Sequence, residues 1–204
     1  MKTTQAEAWA GSMGDQYTDR NEVAWHKRIP FWQAIMQHPL VAQPEICRIL
    51  EVGCNAGWNL NALRSISPYY DLWGADVNRH ALERARAAGH RHLMNCEAAD
   101  LHTYFGDGSF DLVFTAGVLI HVPPTQLFNV MYAIAQASLR WVVAVEYNSH
   151  SGLEEEVEYR GMSRMLWRRD FGELYLRLGL DMIATGDAGD GFDRCTYWLM
   201  RKRK

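Results

Sequence analysis

Three stretches of this chain carry residues whose types and order can do chemistry. The first is the glycine loop Glu51-Val52-Gly53-Cys54-Asn55-Ala56-Gly57-Trp58-Asn59, which follows the apolar run from Arg48. A glycine just past a buried strand lets the backbone turn tightly and approach a ligand closely. A dinucleotide loop would read G-x-G-x-x-G and seat a pyrophosphate on a helix N-terminus. Here Asn55 stands where the second glycine would be and the third is absent. The loop therefore suits a ligand without phosphates. An amino-acid tail would lie against Gly53, Asn55 and Gly57, with Glu51 countering a positive charge. S-adenosylmethionine, with its ammonium and sulfonium, fits that description better than NAD. The plainer reading is a loop whose glycines serve the turn alone.

The second stretch supplies acids. Asp76 ends another apolar run and is placed to accept hydrogen bonds from a ribose. Asp100-Leu101 follows a third run, where the carboxylate and adjacent backbone can address an adenine amino group. Thr115, at the end of a fourth run, is a further expected cofactor contact. Either aspartate alone reads more readily as a helix cap or turn residue; three features in chain order favour a nucleoside site.

The third stretch would serve an acceptor. His121 lies just past the fourth run, and a histidine is the usual general base for a hydroxyl acceptor. A structural histidine bonded to backbone is the equal alternative. Glu146 and Tyr147 close the fifth run and are expected to touch the acceptor. Arg160 heads an arginine group that includes Arg168 and Arg169, and guanidinium binds carboxylate and phosphate in bidentate fashion. Pairing with Glu154, Glu155, Glu156 and Glu158 on a solvated face is the commoner fate of mixed charge. Arg160 alone is assigned to an anionic acceptor.

Elements able to hold these residues follow from periodicity. Short apolar runs at Arg48–Gly53, Asp71–Asp76, His92–Cys96, Phe110–Thr115 and Trp141–Val145 read as buried strands. Helical spacing occupies Asn59–Ile66, Arg79–Ala88 and Thr125–Ser138 between them. Strands alternating with helices imply a doubly wound α/β fold with a mostly parallel sheet. Residues 22–37 read as one helix, ended by His38-Pro39, behind a polar arm over the first 20 residues. Residues 147–169 read as a long polar insert of mixed charge. A helix over Asp170–Leu178 and an antiparallel hairpin, Asp181–Thr185 with Thr196–Met200, close the sheet. One domain over residues 1–204 is expected: arm and helix (1–40), cofactor core (45–146), acceptor-side insert (147–172), and closing helix and hairpin (173–204).

Composition narrows the partners. The 204 residues carry a net charge of −3, which argues against a nucleic-acid protein. No apolar stretch approaches the roughly 20 residues of a membrane helix, and the first residues lack a signal-peptide pattern. Cys47, Cys54, Cys96 and Cys195 have no paired-ligand spacing. A cytoplasmic monomer or homodimer acting on a small molecule, without metal, is expected.

Glu51-Val52-Gly53 through Gly57, Asp76, Ala99-Asp100 and Phe110-Asp111-Leu112-Val113 resemble, in order, the motifs of class I S-adenosylmethionine-dependent methyltransferases. More narrowly, three segments resemble bacterial methylases associated with pseudaminic acid biosynthesis. They are Gly14–Asn21, Gly117–Val122, and Glu146-Tyr147 with Tyr159-Arg160-Gly161 and Trp167–Gly172. The resemblance implies a seven-stranded sheet, S-adenosylmethionine as cofactor and S-adenosylhomocysteine as product. It points to methyl transfer to oxygen or nitrogen of a small polar, anionic metabolite such as a sugar acid or its nucleotide derivative. It also implies that Tyr17, Arg20 and Asn21 fold over cofactor or acceptor, with Tyr17 beside His121 as a catalytic candidate. Two rivals remain. An NAD-dependent oxidoreductase or epimerase is disfavoured by Asn55 and by the lack of a Tyr-x-x-x-Lys pair. A non-catalytic S-adenosylmethionine-binding regulator would be favoured if His121 lay away from the cofactor cavity.

Overall fold

The computed structural model describes residues 4–42 and 46–203. Residues 1–3 of the expected arm, residue 45 at the expected start of the core, and residue 204 lie outside the described residues.

The apolar runs form a seven-stranded sheet because each strand is buried on both faces. In β1 (Arg48–Val52), Leu50 and Val52 enter one core while Ile49 enters the other. β4 (Phe110–Ala116) repeats this alternation, sending Phe110 and Val113 to the first core and Leu112 and Phe114 to the second. Fully buried side chains of this size contribute roughly 1.5–3 kcal/mol each, so these strands cannot sit at an edge. With β2 (Asp71–Asp76), β3 (His92–Asn95), β5 (Ser138–Glu146), β8 (Leu180–Asp187) and β9 (Thr196–Lys202), the order is β3-β2-β1-β4-β5-β9-β8. β1 to β5 are parallel, and β9 runs antiparallel between β5 and β8. The α/β reading and the antiparallel closing hairpin are both observed.

Helices α3 (Ile29–Gln37) and α4 (Trp58–Ile66) cover one face. α7 (Pro124–Ala137) and α8 (Phe171–Arg177) cover the other. α5 (Arg79–Ala87) begins at Asn78, whose side chain accepts from the Ala81 amide at 2.7 Å, an N-cap bond. α6 (Leu101–Tyr104) is a single turn.

Two expectations need correcting. The N-terminal segment is not a loose arm: it forms α1 (Thr4–Ala10) and α2 (Ser12–Arg20). Gly14 permits this, since a Cβ there would lie 1.9 Å from the Trp9 carbonyl oxygen. The helix expected over 22–37 is a 3₁₀ turn, Trp25–Arg28, running into α3. The insert after β5, read from its sequence only as long, polar and mixed in charge, has regular structure of its own. It folds into an antiparallel pair, β6 (Glu155–Tyr159) and β7 (Met162–Arg168), outside the main sheet.

Candidate functional site

Parallel sheets bind ligands at the carboxyl ends of their strands, where the strand order reverses. Here the reversal falls between β1 and β4, and a cavity of about 180 Å³ opens there. Its floor is Glu51 and Gly53 from β1 and its loop, Asp76 from β2, and Gly117-Val118 after β4. Gln5, Trp9 and Tyr17 from α1 and α2 form its roof.

The loop after β1 is held by backbone geometry that its sequence anticipates. Gly53, Asn55 and Gly57 all have positive φ, at 75°, 46° and 79°, a region that glycine and asparagine tolerate best. Gly53 also packs closely, because a Cβ there would sit 2.3 Å from Val118 Cγ2. Gly57 caps α4 but faces His90 instead of the cavity. Its role is packing, and the expected cofactor contact there is corrected.

Glu51 is 2% exposed, and its Oε1 accepts from Asn59 Nδ2 at 2.6 Å. Its Oε2 is buried with no hydrogen-bond partner among the described residues. Burial pushes this carboxyl up to about 8. An unsatisfied buried acceptor costs on the order of 1–3 kcal/mol, so a cationic ligand group reaching Oε2 would recover that cost.

Asp76 accepts from the Asn55 amide at 2.8 Å and from the Asn78 amide at 2.8 Å, one on each oxygen. A carboxylate has about four lone-pair sites, leaving two for ligand hydroxyls. Desolvation raises its pKa against those backbone bonds.

The expected adenine contact is displaced. Cys96, Glu97, Ala98 and Ala99 line the cavity, whereas Asp100 and Leu101 do not. A 3₁₀ turn over Ala98–Asp100 swings Asp100 to solvent, and Leu101 enters the core fully buried.

His121 lines the cavity from a 3₁₀ turn, Leu119–His121. Its Nδ1 meets the Met165 carbonyl oxygen at 2.6 Å. A carbonyl only accepts, so the ring proton sits on Nδ1 and Nε2 keeps its lone pair. Burial lowers its pKa to about 4. Trp9 packs on the ring at 4.5 Å and Tyr159 at 5.1 Å, centroid to centroid. Tyr17 meets Trp9 edge-on at 5.4 Å, and its phenol pKa is raised by burial.

The remaining candidates support the site from outside the cavity. Glu146 is fully buried; its carboxylate accepts from the amides of Val118, Leu119 and Ile120 at 3.1–3.3 Å. It holds the His121 turn and is not an acceptor contact. Thr115 is buried beside it at the end of β4. Tyr147 gives its hydroxyl to Asp193 at 2.5 Å. Arg20 stacks on Tyr17 at 5.8 Å from an exposed position, and Asn21 closes α2 by donating to the Tyr17 carbonyl at 2.6 Å. Arg160 occupies the exposed β6–β7 turn with φ 54°, away from the cavity. Of the arginine group, it is Arg169 that is buried. It pairs with Glu154 at 2.6 Å and donates to the Leu119 carbonyl at 3.1 Å, which fixes the same turn from the other side.

Sequence reasoning passed over Trp9, Asn78, Asn59 and Arg28. Asn78 donates to the Trp9 carbonyl and to Asp15, tying the roof to the β2 edge. Asn59 lay inside the glycine-loop signal, and its amide next to an acid was the available clue. Arg28 joins Asn59 across 31 residues of chain, a contact with no local signature.

Comparison with known proteins agrees with this geometry. A family profile described as a methyltransferase domain matches residues 50–137. The search of curated proteins found no match. Among solved structures, magnesium protoporphyrin IX methyltransferase from Synechocystis PCC 6803 is 12% identical with TM-score 0.70, covering 99% of both chains. The 1,6-didemethyltoxoflavin-N1-methyltransferase of Burkholderia thailandensis is 15% identical with TM-score 0.71, over 98% of this chain and 87% of that one. A sugar N-methyltransferase from Streptoalloteichus is 13% identical with TM-score 0.68, over 96% and 94%. The fold is the Rossmann-like methyltransferase fold. Residues 50–137 resemble a methyltransferase domain, and the solved structures share its fold over nearly the whole chain. Among the described residues, no helix is long and apolar enough to cross a membrane.

Proposed function

We propose that this chain transfers the methyl group of S-adenosylmethionine to an oxygen or nitrogen of a small polar metabolite. The observation that carries the reading is the unpartnered, buried Oε2 of Glu51 at the cavity floor, an acceptor suited to a cationic group. Asp76 would receive the ribose, and Cys96 to Ala99 would face the base. When bound, the cofactor supplies an already activated methyl on a sulfonium.

The chain's own residues then have little chemistry to do beyond alignment, because holding an acceptor in line gains mainly from proximity. Trp9 and Tyr17 roof the cavity and exclude water. His121 presents Nε2, neutral and fixed by Met165, as the group that would take a proton from an acceptor hydroxyl or amine. Its position on the cavity wall speaks for catalysis over a purely regulatory cofactor-binding role.

A sugar acid or its nucleotide derivative is the acceptor class suggested by the resemblance to the pseudaminic-acid-associated methylases. With Arg160 outside the cavity, the reading rests on small and polar and does not require an anion. The solved relatives named for a porphyrin, a toxoflavin precursor and a sugar are in keeping with a small-molecule acceptor. Calorimetric titration with S-adenosylhomocysteine, run beside NADH, tests the cofactor. Micromolar binding of the former, weakened in Asp76→Ala, is expected; a preference for NADH would end the reading.

A further inference from the structure

The charges that line the cavity are unevenly placed. Among the described residues four charged side chains line it, three acids and one arginine. Glu51 lies in β1, Asp76 ends β2 and Glu97 follows β3, while Arg28 donates to Asn59, which in turn binds Glu51. The rest of the wall comes from α1, α2, the turn after β4 and α7, and it carries no formal charge. Its polar side chains are the amides of Gln5 and Gln126, the Tyr17 phenol and the His121 imidazole, set among carbon from Trp9 and Val122. Burial lowers the pKa of His121 to about 4 and raises that of Tyr17, so both stay uncharged near neutral pH.

A wall of this kind sorts acceptors by charge. The ring proton of His121 is on Nδ1, facing the Met165 carbonyl, so Nε2 can only accept a hydrogen bond. An ionised carboxylate or phosphate also only accepts, and against Nε2 it would oppose one lone pair with another. It would leave water with no cationic side chain in that wall, and a buried charge without a partner costs far more than a neutral polar group. Three acids against one arginine oppose an anion in the cavity as a whole. The arginines that might have gathered one stand elsewhere: Arg20 and Arg160 are exposed, and Arg169 is bound to Glu154 and the Leu119 carbonyl. A hydroxyl or a neutral N–H has the opposite fit. It donates to Nε2 while the carbon beside it packs on Trp9 and Val122.

We propose that the His121 side of the cavity selects an uncharged acceptor, one that presents a hydroxyl or N–H beside an apolar face, and turns away carboxylates and phosphates as methyl acceptors. The inference rests on the methyl-transfer reading above and narrows its acceptor class. In the step, the acceptor oxygen or nitrogen bonds to the methyl carbon, and the carbon–sulfur bond breaks with its electron pair going to sulfur. The acceptor's proton moves to Nε2 and on to water. A metabolite that carries an acid elsewhere must keep it outside the cavity.

Three probes of similar size test this: phenol, a neutral donor; anisole, whose methyl replaces the hydroxyl proton; and benzoate, an anion. Nuclear magnetic resonance of the ring nitrogens follows them in histidine-labelled protein saturated with S-adenosylhomocysteine, with His121 assigned by its loss in His121→Ala. Phenol is expected to move the Nε2 signal of His121 and to bind at least about tenfold more tightly than benzoate. It should bind about threefold or more tightly than anisole, the scale of one hydrogen bond. In His121→Ala, read by saturation transfer to the probes, phenol and anisole should come within about twofold of each other. Unchanged S-adenosylhomocysteine binding shows that the variant is folded. Benzoate binding as tightly as phenol would overturn the proposal, as would a His121 signal that no probe moves or a variant that keeps the phenol preference. Failure of S-adenosylhomocysteine to bind would count against the cofactor reading instead, and the same probes on the free protein would still decide what the wall selects.

Discussion

The imidazole of His121 is bonded through Nδ1 to the backbone carbonyl of Met165, at 2.6 Å and 44 residues away in sequence. Met165 belongs to β7, in the small hairpin outside the main sheet. His121 therefore takes its tautomer from an appended element and not from the sheet that carries it.

If Nε2 accepts the acceptor's proton, His121→Ala should lower kcat by roughly 10²–10⁴-fold. Affinity for S-adenosylhomocysteine should stay within about twofold of wild type. With its pKa lowered to about 4 by burial, His121 stays neutral from pH 5 upward. A pH–rate profile should then show no acid limb near 6.5, the ordinary histidine value. A limb at 6.5 that vanished in His121→Ala would contradict this environment.

Cofactor affinity should rise with pH. Glu51 titrates at about 8 in the free protein, and only its ionised form complements an ammonium. Binding should tighten by at most about tenfold per pH unit between pH 6 and 8. Above pH 8 the ligand's own amine, with a pKa of roughly 8, begins to lose its charge. Calorimetry across that range checks the slope, and Glu51→Gln should flatten it.

The same proton shapes stability. The folded protein keeps a proton on Glu51 that the unfolded chain releases near pH 4.5. The stabilisation is complete below that value and is lost as pH rises through about 8. Near neutrality the contribution of this group falls by roughly 1 kcal/mol per pH unit. Thermal melts of Glu51→Gln and wild type without ligand should diverge as pH rises from 6 to 8, with the variant falling less.

Glu146→Ala would strip three amides, those of Val118, Leu119 and Ile120, of their shared acceptor. At about 1–3 kcal/mol for each buried group left unpaired, a loss of at least about 3 kcal/mol is expected in urea unfolding. A loss below about 1 kcal/mol would show that the turn does not depend on the carboxylate.

Gly53→Ala meets two separate penalties. The left-handed φ costs roughly 1–2 kcal/mol, and the clash with Val118 adds about 1–3 kcal/mol. Val118→Ala in the same chain should recover the second and not the first. A double-mutant cycle on unfolding free energy separates them, and strict additivity would mean the clash relaxes without cost.

Arg160→Ala should leave the acceptor Michaelis constant unchanged, since the residue sits on an exposed turn. A rise of several-fold would mean the hairpin tip folds into the site.

What could be read in advance was whatever the local pattern encodes. Ile49, Leu50 and Val52 announce a strand because both faces are buried, and Gly53 and Asn55 announce the turn because few residues accept positive φ. α1 and α2 were not legible. Their docking depends on Gly14 meeting Trp9 and on Asn78 reaching back across 69 residues. β6 and β7 were missed because Glu155–Tyr159 and much of Met162–Arg168 are polar and only partly buried, so nothing in their periodicity marks a sheet. Asp100 was misplaced by the local 3₁₀ turn, where one residue of rotation separates a cavity wall from solvent. Arg28 and Asn59 are joined only by the tertiary fold.

The roof of the cavity hangs from few fastenings. Gln5 reaches the Arg164 carbonyl at 3.0 Å, Asn78 holds Trp9, and Asp19 meets His80 and Arg84 at the surface. The floor, by contrast, is woven into the central strands. A lineage carrying this architecture can exchange α1, α2 and the β6–β7 hairpin with little damage to the cavity floor. On the proposed function, selection can thus retune what is modified while inheriting unchanged the means of modifying it.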